Sequence, residues 1–161
     1  MRCLTDSGKI TTDIDSLRSE IRDKSVRVID VRREDDYKQD HIPTAVNLPL
    51  ANLLSDDSPE SVLKLMNSMG IDNETSVVVY DDTFGALASR VAWTFEYLGH
   101  SDVTLLETTY SNWKSLELES DSKIPEIQHK EHTLNLQPNI LATADYLQSA
   151  KERNDVILID N

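Results

Sequence analysis

A chain of 161 residues, 39% hydrophobic and 28% charged, has room for one full hydrophobic core and part of a second. With 29 acidic against 16 basic residues, its net charge of −13 argues against a general nucleic-acid or anionic-membrane surface, so neither nucleic acid nor membrane is expected as a partner. No apolar run approaches the ~20 residues that cross a bilayer, the start MRCLTDSGKITT has no apolar signal core, and the lone Cys3 cannot close an internal disulfide; together these read as cytoplasmic.

The first nine residues read as a polar tail. Thr12 is expected to cap a first helix, with Ile14, Leu17 and Ile21 on one face and Asp15 three positions after the cap. Val26 to Val31 (VRVIDV) is a β-branched run that reads as a strand. A short polar helix around Glu34 to Gln39 then leads into a second strand near Ala45 to Leu48, punctuated by Pro43 and Pro49. The next helix has the clearest bounds: Ser58 as cap, Pro59 at the first helical position, Glu60 in the first turn and Gly70 just past the end. Its apolar face is Val62, Leu65, Met66 and Met69, where the methionines serve as core filling.

The segment from Val77 to His100 organises the rest. Val77-Val78-Val79-Tyr80 reads as a strand buried on both faces, broken by the loop Asp81-Asp82-Thr83-Phe84-Gly85-Ala86. Leu87, Val91, Phe95 and Leu98 then recur at helical spacing, with Gly99 as a left-handed stop. Such a loop lies at the carboxyl edge of a sheet, beside the unpaired N–H groups of a helix amino terminus, and is the first place to look for a site. A strand at Val103 to Leu106 and a short helix through Tyr110 and Trp113 complete the pattern. Strands alternating with helices predict an α/β domain over residues 10–118, with a mainly parallel central sheet of about five strands and helices on both faces.

Residues 119–138 turn polar and aperiodic and read as an interdomain linker. Shifting the chain by 130 positions then places Asp15, Leu17, Ser19, Val26, Ile29 and Asp30 over Asp145, Leu147, Ser149, Val156, Ile159 and Asp160. Residues 139–161 therefore read as the first helix and strand of a second copy of the same domain, whose remainder would lie beyond Asn161. An unpaired strand at Val156 to Ile159 is an association risk, from which a homodimer through this stub is expected.

Several constellations bear on chemistry. Asp30 and Arg32 sit at the end of a strand, where they serve either as a substrate contact or as a structural ion pair. His41 is either a base or a hydrogen-bond pin. No metal-ligand spacing, GxGxxG or P-loop is present, so neither metal nor cofactor is expected. A Cys-x5-Arg phosphatase signature fails, because six positions on from Asp81 stands Leu87 and Arg90 is three further along. Aspartate-based phosphoryl transfer of the DxDxT kind fails as well, since Thr83 directly follows Asp81-Asp82.

Taken in order, Val28-Ile29-Asp30-Val31-Arg32 with Glu34 and Tyr37, His41-Ile42-Pro43-Thr44-Ala45-Val46-Asn47-Leu48, Val77-Val78-Val79-Tyr80-Asp81, Tyr97-Leu98-Gly99-His100, and Val103-Thr104-Leu105-Leu106 with Trp113 resemble the rhodanese superfamily of sulfurtransferases. The 130-residue period is similar to the tandem thiosulfate and 3-mercaptopyruvate sulfurtransferases. The resemblance implies a rhodanese-like fold, and a loop whose backbone N–H groups cradle an anion behind a cysteine that carries sulfur as a persulfide. Asp81 stands at that cysteine's position, as is common in the amino-terminal domain of the tandem enzymes. It implies no catalytic residue in this chain, with Asp81 to Ala86 as the equivalent of the active-site loop and Asp30, Arg32 and His41 in support. The partners implied are a second rhodanese-like domain beyond Asn161 and a small anionic sulfur donor, which Asp81 and Asp82 would repel. A regulatory or protein-binding module is the alternative. Thr44 replaces the glycine usual in the HIPGA-type turn, and Thr108-Thr109 a glycine pair after the fourth strand, so those turns must differ from the family's or be strained.

Overall fold

The computed structural model describes residues 9–151 and 153–159; Cys3 and Asp160 lie outside them. Five strands, β1 (Thr11–Thr12), β2 (Val26–Asp30), β3 (Val46–Asn47), β4 (Ser76–Tyr80) and β5 (Val103–Leu106), form one sheet in the order β1-β5-β4-β2-β3. Every pairing is parallel. The helices are α1 (Ile14–Asp23), α2 (Glu34–Gln39), α3 (Leu50–Ser55), α4 (Pro59–Ser68), α5 (Ala88–Tyr97), α6 (Tyr110–Ser115) and α7 (Ala144–Ala150).

Successive side chains of a strand point to opposite faces, and here both faces are covered. Val77 and Val79 of β4 join Ile29, Met66, Val91 and Phe95 in one core, beneath α3, α4 and α5. Val78 and Tyr80 join Leu17, Val28, Tyr37, Tyr110 and Trp113 in the other, beneath α1, α2 and α6.

One expectation is corrected at the amino terminus. Thr12 does not cap α1; it belongs to the two-residue edge strand β1, where its carbonyl accepts from Glu107 N. The cap is Asp13, whose carboxylate accepts from Ser16 N at 2.8 Å and Ser16 Oγ at 2.9 Å. A carboxylate beside a helix amino terminus is the stronger cap, and β5 offers Thr12 a free sheet edge. The other strands and helices expected through Trp113 are present. Ser58 holds the capping position of α4 without a side-chain bond, and Gly70 and Gly99 both adopt positive φ after their helices.

The polar segment after α6 packs against the domain. Asp121 and His41 exchange backbone hydrogen bonds at 2.8 Å, and Trp113 Nε1 donates to Glu119 O. Ile127 and Leu134 contact the core. Lys130, Asn135 and Gln137 N–H groups donate to the carbonyls of Asn67, Leu98 and Tyr97 at the carboxyl ends of α4 and α5. This strap runs so close to Gly99 that a Cβ there would lie 2.4 Å from Asn135 O. Helix α7 follows, starting one 130-residue period after α1, with Thr143 capping through Tyr146 N as Asp13 caps through Ser16 N. The strand expected at Val156 to Ile159 is not formed: these residues have no neighbouring strand, and Ile157 and Ile159 are exposed.

Candidate functional site

Strand β2 leads into α2 on one face of the sheet, whereas β4 leads into α5 on the other. The loops after these adjacent strands therefore diverge, leaving a crevice at their carboxyl ends, the place where open α/β sheets bind ligands. An open depression of about 370 Å³ lies there, lined by Arg32, Arg33 and Asp36 from the β2 side and Asp82, Thr83 and Leu87 from the β4 side.

Asp81 is the first residue after β4, and its side chain turns back into its own loop, 2% exposed. Oδ1 accepts from Thr83 N and Gly85 N, both at 2.9 Å. Oδ2 accepts from Thr83 Oγ1 at 2.8 Å, Leu87 N at 2.8 Å and Ala88 N at 2.9 Å. The loop and the first turn of α5 thus aim four backbone N–H groups at one point, and the carboxylate occupies that point. Burial pushes the Asp81 carboxyl upward, but the N–H groups of Ala88, Gly85 and Thr83 outweigh it and hold the group below the usual carboxylate range. Oxygens so engaged have no lone pair to offer a substrate.

The rest of the loop has separate tasks. Asp82 faces α6, accepting from Ser111 N at 2.7 Å and Ser111 Oγ at 2.6 Å, so its charge is partly committed. Thr83 and Ala86 are exposed, Gly85 takes φ +87°, and Phe84 stands 92% exposed at φ +55°.

Asp30 and Arg32 form a clamp. Asp30 is fully buried and receives Arg32 Nη2 at 2.7 Å, Arg32 Nε at 3.1 Å, Arg32 N at 2.9 Å and a short bond from the Tyr80 hydroxyl. Arg32 Nη2 also donates to Asp40 O at 2.7 Å, and the guanidinium lies 3.7 Å above the Tyr110 ring. The pair fixes the loop after β2 and places Arg32 on the wall of the depression. His41 does not join it. Its ring stacks on Tyr37 at 4.0 Å, Nδ1 donates to Tyr37 O at 2.8 Å, and Nε2 faces Lys123 O at 3.3 Å. It is a pin between α2 and the strap, and it does not line the depression.

The model of the rhodanese-like domain matches residues 13–116. The chain belongs to the rhodanese-like family. Among its relatives, the thiosulfate sulfurtransferase of Corynebacterium glutamicum is 35% identical over 96 residues, covering 56% of this chain and 32% of that protein. The 3-mercaptopyruvate sulfurtransferase of Mus musculus is 29% identical over 135 residues, covering 77% of this chain and 45% of the relative. The crystal structure of the 3-mercaptopyruvate sulfotransferase SseA from Escherichia coli superposes with a TM-score of 0.79 at 22% identity, covering 91% of this chain and 63% of that one. This rhodanese-like chain thus spans less than half the length of the two curated relatives. Its described residues include no helix long and apolar enough to cross a membrane.

Sequence reasoning missed the part of Arg33 and Asp36 in the rim. Arg33 is 90% exposed, with Nε 3.5 Å from Asp36 Oδ2, so the depression carries an exposed cation as well as the clamped Arg32. The doublet Arg32-Arg33 directly after a strand was the available signal. Tyr110, stacked under Arg32, carried no such signal, because only the fold brings α6 beside β2.

Proposed function

We propose that this chain is the non-catalytic amino-terminal rhodanese-like domain of a two-domain sulfurtransferase, which moves sulfane sulfur from thiosulfate or 3-mercaptopyruvate to a thiophilic acceptor such as cyanide or a thiol. The supporting observation is the Asp81 carboxylate filling, with five hydrogen bonds, the loop that would otherwise cradle a transferred anion. A persulfide needs a thiolate to attack the donor's outer sulfur, and a carboxylate buried among N–H groups forms no such bond. The nucleophile would be a cysteine beyond Asn161. The matched start and capping of α1 and α7, one period apart, support a second domain of the same kind as the partner. Arg32 and Arg33 supply cationic groups to a rim that also carries Asp36 and Asp82, and through them a small anionic donor would be held between the two domains. We place the protein in the cytoplasm on the strength of its single cysteine.

The test is cyanide-dependent formation of thiocyanate from thiosulfate. The chain alone is expected to show none above background, and activity that survives Cys3→Ser overturns the reading. A second reading, a non-enzymatic protein-binding module, is favoured by Phe84, an aromatic ring almost wholly exposed at the tip of the loop. The coding sequence past Asn161 separates the two. A cysteine opening the equivalent loop supports the enzyme; a stop codon or a second acid there supports the module.

A further inference from the structure

Two histidines outside the site are buried against each other where the strap crosses the carboxyl end of α5. His100, just after Gly99, is fully buried, and His132 on the strap is 5% exposed. Their rings lie 5.3 Å apart, and His100 Nδ1 is 3.3 Å from His132 Nε2, so one ring donates to the other. Asn73 Nδ2 also approaches His132 Nε2, at 3.4 Å. His132 Nδ1 is buried without a partner among the described residues, and His100 Nε2 makes no hydrogen bond. No group of three His, Cys, Asp or Glu that could hold a metal occurs among the described residues.

The strap is docked around this pair by amide contacts and by one ion pair. His132 N donates to Asn67 Oδ1 at 2.9 Å, Thr133 N donates to Asn73 Oδ1 at 2.7 Å, and Asn73 Nδ2 donates to Thr133 O at 3.0 Å. The charged neighbours are Asp72, beside His132 and paired with Lys130 at 2.9 Å; Asp102, beside His100; and Glu131, which is paired with the exposed His129. None of these carboxylates is hydrogen-bonded to either buried ring. One added proton would put a charge in a buried seat without a bonded carboxylate, and a second would set two N–H bonds against each other.

We infer that the His100–His132 pair is an acid-sensitive latch: protonation releases the strap around residues 130–137 from the ends of α4 and α5 while the sheet stays folded. Burial holds His100 below the usual histidine range, reinforced by His132, against the carbonyls of Asp102 and Thr75; burial also lowers His132, against Asp72. Once undocked, both rings are hydrated and titrate near ~6.5. Docking is therefore at full strength above about pH 6.5 and weakens as pH falls toward the lower docked values, by up to about tenfold per pH unit for each ring. This inference does not depend on the sulfurtransferase reading.

Amide hydrogen exchange on the full chain at pH 7.5 and pH 5.5, corrected for intrinsic exchange rates, tests it. Protection of the Lys130, His132, Asn135 and Gln137 amides is expected to fall at least tenfold at pH 5.5 relative to the β4 amides Val78 and Val79; an unchanged ratio overturns the latch. His132→Gln is expected to reduce the pH dependence to what His100 alone supplies, whereas His129→Gln is expected to retain it in full, and the reverse pattern overturns the assignment. Should His132→Gln loosen the strap at both pH values, NMR titration of the unsubstituted rings decides. Resonances of His100 and His132 that shift together with loss of strap protection support the latch, and rings that titrate while the strap stays protected overturn it.

Discussion

Replacing Asp81 by alanine would strand four backbone N–H groups around an empty point, two from the loop and two from the start of α5. Orphaned buried donors cost more than one lost hydrogen bond, so Asp81→Ala is expected to lower the free energy of unfolding by about 3 kcal/mol in urea titrations. Asp81→Asn, which turns an amide N–H₂ toward other donors, is expected to cost about 2 kcal/mol. Because the Asp81 carboxyl is held below its ordinary range, its stabilising effect is present above about pH 4 and is lost as pH falls through the folded-state value. The gap between wild type and Asp81→Asn should therefore narrow from pH 5 to pH 2.5. Asp81→Cys would place a thiol among the same N–H groups, where its pKa should drop below ~8.5. Faster alkylation by iodoacetamide near pH 7 than for Cys3, and weak thiocyanate formation, are the expected outcomes. The position of Asp81 at the head of the loop was legible before the fold, from the break after the β-branched run Val77 to Tyr80. Its full set of donors was not legible, since they depend on how tightly the loop curls. Thr44 shows the same division. The turn Ile42–Ala45 closes through Ala45 N to Ile42 O at 3.0 Å, with Pro43 second and Thr44 third at φ +67°. That is the arrangement of a turn that favours glycine at its third position, so the strain expected there is present. Thr44→Gly is expected to stabilise by about 1 kcal/mol, read as a rise of the melting temperature. At Thr109 the alternative outcome holds: φ is −83° and the side chain caps α6 through Asn112 N.

Among the elements, those with strong periodicity and clean punctuation were readable: β2, β4, α4 and α5. Those that exist only because a partner is nearby were not. β1 has two residues and is a strand only through β5. α3 follows Pro49 and is held by the fully buried Leu53, in a run of 6 residues too short to show a helical period. The segment 119–138 has a linker's composition, yet its main-chain groups bind the helix ends and only a few of its side chains face inward. At Gly99, Gly99→Ala would add a Cβ 2.4 Å from Asn135 O at a φ of +96°. It is expected to destabilise by about 2 kcal/mol or more in urea and to expose 130–137 to proteolysis before the sheet opens.

For the molecule as a whole, residues 139–159 contribute little to the rhodanese-like core. In α7, Ala150 is buried while Tyr146 and Leu147 are exposed, and Ile157 and Ile159 beyond it are exposed as well. Deleting residues 139–161 is expected to leave the melting temperature within about 2 °C of the full chain. The same apolar run is expected to drive self-association at high concentration, measured by light scattering and relieved by Ile157→Lys with Ile159→Lys. Thr11 stands opposite Leu105 across the sheet edge. A ribosome must therefore release almost the whole rhodanese-like unit before the earliest strand can find its mate. Until then Ile10 to Thr12 has no strand to pair with, and this edge of the sheet closes after its centre.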